Sequence, residues 1–114
     1  MSDLNESLAL SEELIAFIKQ SPSMFHTTQT IKDYLIENGF TYLSEGSSWD
    51  VQPGGSYFTT RNNSSIVAWK VGEKYRESQT SSVDAPYHFQ LAVAHGDSPT
   101  YKVKAQPELT GDGN

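Results

Sequence analysis

The sequence predicts a mixed α/β fold, with two N-terminal helices followed by the strands of a mixed sheet. Three observations carry that prediction. Apolar residues recur at helical spacing as far as Asn38. Asn38-Gly39 then stops the pattern, with Gly39 free to take a positive φ. Beyond it, β-branched and aromatic residues gather in short runs divided by Gly, Pro and Asn.

The first helix is expected over Ser7–Gln20, where Leu10, Leu14, Phe17 and Ile18 share one face. Ser11 is a candidate cap, with Glu12 and Glu13 in the first turn. Ser21-Pro22-Ser23 ends it, because proline biases its predecessor away from helix. A second helix is expected from about His26 to Asn38, with Ile31, Tyr34 and Leu35 as its apolar stripe. Phe40 to Leu43 reads as a short strand, Glu45 to Ser48 as a loop and Gln52-Pro53-Gly54-Gly55 as a tight turn. Tyr57–Arg61 and Ser65–Val71 form a hairpin around Asn62-Asn63, since Asn tolerates the required turn conformations. Gly72 to Pro86 is a long polar loop. Tyr87–Ala94 is the strongest strand signal, with Tyr87, Phe89, Leu91 and Val93 on one side. Thr100–Lys104 is a further short strand.

The 114 residues suit one small domain. With 14 acidic against 8 basic residues the formal charge is -6, which argues against a nucleic-acid partner or a polybasic membrane patch. A hydrophobic fraction of 36% is too high for an acidic disordered tail, yet lean enough that some faces expect partners. The absence of cysteine removes disulfides, iron–sulfur clusters and Cys-ligated zinc. No long apolar run is present and Met1 to Glu6 is unlike a signal peptide, so a soluble cytoplasmic protein is expected. Thr110 to Asn114 forms turns that lead nowhere, which marks 110–114 as an expected truncation point.

The residues best suited to chemistry are in Ala94-His95-Gly96-Asp97-Ser98-Pro99, at the end of the strongest strand signal. Ligands collect at carboxyl ends of strands in open α/β sheets. In extended backbone His95 and Asp97 project to the same side, and a carboxylate beside a metal-bound imidazole fixes its tautomer. By spacing alone the pair reads more readily as a surface His and a loop Asp opening an Asp-Ser-Pro turn. His26 reads as a helix-start residue meeting water or a carbonyl, His88 as solvent-facing, and Trp49 and Trp69 as packing residues. Pro53-Gly54-Gly55 lacks the Lys and Ser/Thr of a phosphate loop. There is no nucleophile elbow and no interpretable carboxylate pair.

Taken in order, several segments resemble the N-terminal part of the aspartyl aminopeptidase family (metallopeptidase family eighteen). They are Ser21-Pro22-Ser23-Met24-Phe25-His26, Gly39-Phe40, Trp49, Pro53 to Asn62 and His95-Gly96-Asp97-Ser98-Pro99. The resemblance runs from about Leu14 to Gly111. It implies that residues 1–114 are the N-terminal portion of an incomplete zinc-exopeptidase catalytic domain. The parent would remove N-terminal residues, often acidic, from peptide substrates with two zinc ions, and would assemble into dodecamers. His95 matches the family's first metal-ligand His, and Asp97 the Asp that orients it. Gly96 stands where many members have Thr. The remaining ligands and the general base of such enzymes lie beyond the length of this chain. Because zinc needs at least three protein ligands, the 114-residue chain alone is expected to hold no catalytic zinc pair and to hydrolyse nothing. Unpaired strand edges are expected to drive self-association. The alternatives are a truncated non-catalytic module that binds peptide or joins the full enzyme's assembly, and a different two-metal family sharing only His-x-Asp.

Overall fold

The computed structural model describes residues 1–73, 88–101, 103–106 and 108. Its elements are α1 (Ser2–Gln20), α2 (Met24–Glu37), β1 (Thr41–Tyr42), β2 (Ser56–Arg61) and β3 (Ser65–Lys70). The mixed α/β class is as expected.

Helix α1 begins five residues before the expected start. Asp3 supplies the acidic charge of its first turn, and Ser11 is not a cap. The Ser11 hydroxyl instead donates back to Ser7 O at 2.8 Å, inside the helix. Ser21 N–H closes the other end on Ile18 O at 3.1 Å, immediately before Pro22. Helix α2 starts from Ser23, whose backbone is extended and whose hydroxyl accepts the His26 amide. Gly39 follows α2 at φ +80° and frees Phe40 N–H to bond Leu35 O at 2.9 Å.

The sheet order is β1-β2-β3. β1 runs parallel to β2, with Thr41 opposite Tyr57 and Tyr42 opposite Phe58. β2 and β3 are antiparallel, with Tyr57 opposite Trp69 and Thr59 opposite Val67. Asn62 and Asn63 both have φ near +50° in the turn between them, as their sequence predicts. β2 is the central strand, and Tyr57, Phe58, Thr59 and Thr60 are all buried. On one side Phe58 packs on Tyr42 at 5.4 Å between ring centroids, and α2 contributes Leu35 to the core. On the other side Tyr57 and Trp49 both stack against Trp69, at 5.9 and 5.4 Å. Trp49 Nε1–H donates to Ser44 O at 2.8 Å, tying the 44–49 loop down over the sheet. Both tryptophans are therefore packing residues.

The Gln52–Gly55 turn is likewise structural. Gly54 has φ +76°, and Gly55 N–H donates to Gln52 O at 3.1 Å. The Tyr57 ring lies on Gly55, and its hydroxyl accepts Gln52 N–H at 2.8 Å. Arg61 grips the Glu45 carboxylate through Nε at 3.0 Å and its terminal nitrogen at 2.7 Å. That hydrogen bond and the adjacent negative charge raise the Arg61 pKa, so the guanidinium keeps its charge. Both partners are solvent-exposed, and screening keeps the pair's contribution small.

Two expectations are corrected. The strand expected over Tyr87–Ala94 is not formed at His88–Ala94; Tyr87 lies outside the described residues. Phe89, Leu91 and Val93 are 84–89% exposed. Period-two alternation expresses a preference for two faces, and a strand exists only where a neighbour supplies its ladder. The same holds for Thr100–Lys104, whose described residues carry no ladder. Residues 74–86 of the expected loop and the whole of 110–114 lie outside the described residues.

Candidate metal centre

His95 and Asp97 are brought together as the spacing predicts. The imidazole Nδ1 lies 3.2 Å from Asp97 Oδ1 and 3.0 Å from Asp97 O. A carboxylate and a carbonyl oxygen only accept hydrogen bonds, so Nδ1 is the nitrogen that carries the proton. In the neutral ring the Nε2 lone pair is then left free to bind a metal, the arrangement a carboxylate-oriented ligand needs. The pair sits in an irregular segment, not at a strand end as expected. Its side chains are 86% and 70% exposed, so water competes for both partners.

This segment passes near the start of α2. A Cβ built on Gly96 would lie 3.8 Å from Thr27 Cγ2, ordinary van der Waals contact. Thr27 is buried, and its hydroxyl donates to Ser23 O at 2.9 Å. Nothing in the sequence spacing links positions 27 and 96, so this proximity was not legible there. His26 is not gathered with His95 into a donor cluster. Its Nδ1 shares a 2.7 Å hydrogen bond with Ser23 Oγ, the cap of the same helix. His88 is exposed, as expected.

Among the described residues no three His, Asp or Glu side chains stand close enough to hold a metal ion. His95 with Asp97 thus fits zinc as one oriented ligand, short of the three or more that a zinc site requires. No helix among the described residues is long and apolar enough to cross a membrane.

Residues 17–113 match the profile of the aminopeptidase I zinc metalloprotease family (M18). The chain belongs to this family. It is 37% identical over 109 residues to the probable M18 family aminopeptidase 2 of Clostridium acetobutylicum, covering 96% of this chain and 23% of that protein. It is 43% identical over 104 residues to the corresponding protein of Pseudomonas syringae, covering 91% of this chain and 22% of the relative. The aspartyl aminopeptidase of Dictyostelium discoideum is 41% identical over 101 residues, covering 89% of this chain and 19% of its own length. The chain therefore spans about a fifth to a quarter of the length of these relatives. Among solved structures, that of Chaetomium thermophilum mApe1 superposes with a TM-score of 0.57 at 38% identity, over 59% of this chain and 16% of the other. The cryo-EM structure of the Ape4 and Nbr1 complex gives a match with a TM-score of 0.54 at 42% identity, over 55% of this chain and 12% of the matched chain.

Proposed function

We propose that this chain is the N-terminal portion of the catalytic domain of a cytoplasmic zinc aminopeptidase that removes N-terminal residues, acidic ones included, from peptides. The observation that carries the site assignment is the Nδ1 contact of His95 with Asp97, which leaves Nε2 as the metal-facing nitrogen. His95 is the metal ligand. Asp97 holds the ring in that tautomer and keeps it from rotating. In such peptidases a bound zinc pair activates a water and polarises the scissile carbonyl. The remaining ligands and the general base come from chain beyond these residues, so the 114-residue chain by itself is inert. The homo-oligomer, a dodecamer for the parent, is part of the same proposal.

Substitution of the aligned His and Asp in a full-length relative tests this. The His95→Ala equivalent is expected to lose bound zinc by elemental analysis, with aminopeptidase turnover lost alongside. The Asp97→Ala equivalent is expected to weaken zinc binding by about 10- to 100-fold. Unchanged zinc content and affinity in both would exclude the assignment.

A second reading rests on a separate observation, the exposed Phe89, Leu91 and Val93. Here the chain joins the assembly of a complete relative without turning over substrate. Co-expression with that relative would yield a mixed complex; separate elution of the two would rule it out.

A further inference from the structure

Helices α1 and α2 meet at their connection, where the Thr30 hydroxyl donates to Gln20 O at 3.4 Å. Away from it they enclose an open groove of about 680 Å³. Each helix offers that groove one stripe at helical spacing, Leu10, Leu14 and Phe17 from α1 and Ile31 and Tyr34 from α2. The stripes make an apolar floor that the chain leaves in water. Helix α1 has no buried residue, and Leu10, Leu14 and Tyr34 are all exposed. From Leu10 to Gln20 the α1 wall is about 15 Å long, room for about three turns of a third helix. The rim carries charge of one sign. Glu13 stands on the α1 wall, and Asp33 and Glu37, one turn apart, stand on the α2 wall. Among the described residues no Lys, Arg or His lines the groove. The Gln29 side-chain amide donates to Asp33 Oδ1 at 2.7 Å and steadies that carboxylate.

An apolar floor between acidic walls fits a helix whose hydrophobic stripe is flanked by Lys or Arg. The helices of this chain do not meet that description. Helix α1 carries Asp3, Glu6, Glu12 and Glu13 against Lys19, and α2 carries Asp33 and Glu37 against Lys32. A second copy therefore brings like charge to the rim and covers the floor only weakly. We propose that the α1–α2 groove is a docking site for a cationic amphipathic helix of a partner protein. The floor supplies most of the affinity, and the three carboxylates select the charge of the partner. The proposal is independent of the role assigned to His95 and Asp97.

The probe is a fluorescein-labelled helical peptide of about 18 residues, built from Leu, Lys and Ala, with Leu at i, i+3, i+4 and i+7 spacing and Lys on both flanks. A second peptide has Glu in place of each Lys. Fluorescence anisotropy at low salt is expected to show the Lys peptide binding the 114-residue chain, with the Glu peptide weaker by about tenfold or more. Glu13→Gln, Asp33→Asn and Glu37→Gln together should weaken the Lys peptide by about tenfold, since three exposed charge pairs each contribute a small factor. Glu6→Gln, Glu12→Gln and Glu108→Gln remove the same net charge outside the groove, and should leave affinity within about twofold. Leu14→Asn should abolish binding with the helical circular dichroism unchanged. Equal losses from the two charge-neutralised triples would mean attraction to the overall charge of -6, and would overturn the proposal. Equal binding of the two peptides, or indifference to Leu14→Asn, would overturn it as well. No binding of the Lys peptide by a chain that still self-associates would give the groove to a second copy instead. Residues 1–114 joined to the rest of a full-length M18 aminopeptidase should still bind the Lys peptide. Loss of binding there would mean that the enzyme's own chain fills the groove, which equally overturns the proposal.

Discussion

Gly55 illustrates how one hydrogen atom in place of a side chain sets local geometry. A methyl at that position would overlap the Tyr57 ring and hydroxyl. That ring cannot move away freely, because it is buried against Trp69 and its hydroxyl accepts the Gln52 amide. Gly55→Ala is therefore expected to destabilise the sheet by about 1–3 kcal/mol, the usual cost of overpacking a filled site. Urea unfolding followed by tryptophan fluorescence would measure it, since Trp49 and Trp69 report on the same cluster. Gly46 is the control: a Cβ there meets nothing within 4 Å, and Gly46→Ala should leave the midpoint nearly unchanged. Pro53-Gly54-Gly55 thus forms a turn that the Tyr57 ring packs against. At the same scale the His95–Asp97 pair was readable, because a contact between residues two apart depends mainly on local backbone. The proximity of Thr27 to position 96 was unreadable for the opposite reason: only the folded chain brings the two together.

Each element legible in the sequence has a local cause. Ser23 caps α2, Gly39 releases the chain from it, and Asn62-Asn63 supply two consecutive positive φ values for the β2–β3 turn. The turn makes a direct prediction. A β-branched residue at φ near +50° is sterically disfavoured, so Asn63→Val should cost about 1–2 kcal/mol. Asn63→Gly should keep or improve the hairpin. Hydrogen exchange at the Tyr57 and Thr59 amides, which face β3, would read the difference, and equal protection in both variants would count against the turn as the determinant of register. The start of α1 was not legible because serine suits two places. Ser11 has the chemistry of a cap, yet its hydroxyl is satisfied within the helix by the preceding turn. The 87–94 segment differs from expectation for another reason. Alternation at Phe89, Leu91 and Val93 says which side chains seek a core, while pairing depends on a second segment that the described residues do not provide at 88–94. The short β1 shows the converse. Thr41 and Tyr42 give a weak signal, but β2 supplies a parallel neighbour and Leu43 N–H extends the contact to Phe58 O at 2.8 Å.

At the scale of the molecule, burial is concentrated in one place. Leu35, Tyr57 and Phe58 are the buried hydrophobic residues among those described, while α1 has none. The α1 stripe of Leu10, Leu14 and Phe17 faces an open groove of about 680 Å³ against Ile31 and Tyr34 of α2. The radius of gyration is 20.6 Å, where a compact chain of this length has about 13 Å. Apolar area left in water forfeits about 25 cal/mol per Å², so covering these faces is favourable for whatever chain can do it. Alone in solution, the chain can find that cover in another copy. Light scattering should give a mean mass that rises with concentration, and Leu14→Glu should suppress the rise; a constant monomer mass up to high concentration would refute this. The same faces should behave differently beside the remaining length of a relative. In a chimera joining residues 1–114 to the rest of a full-length M18 aminopeptidase, Phe89, Leu91 and Val93 are expected to gain a core and His88–Ala94 ladder partners. Hydrogen exchange of that segment is then expected to slow by several orders of magnitude relative to the 114-residue chain, because ladder amides open only with the sheet. Equally fast exchange in the chimera would mean that the alternation at 88–94 is not a strand signal, and that the His95–Asp97 pair stands on a loop.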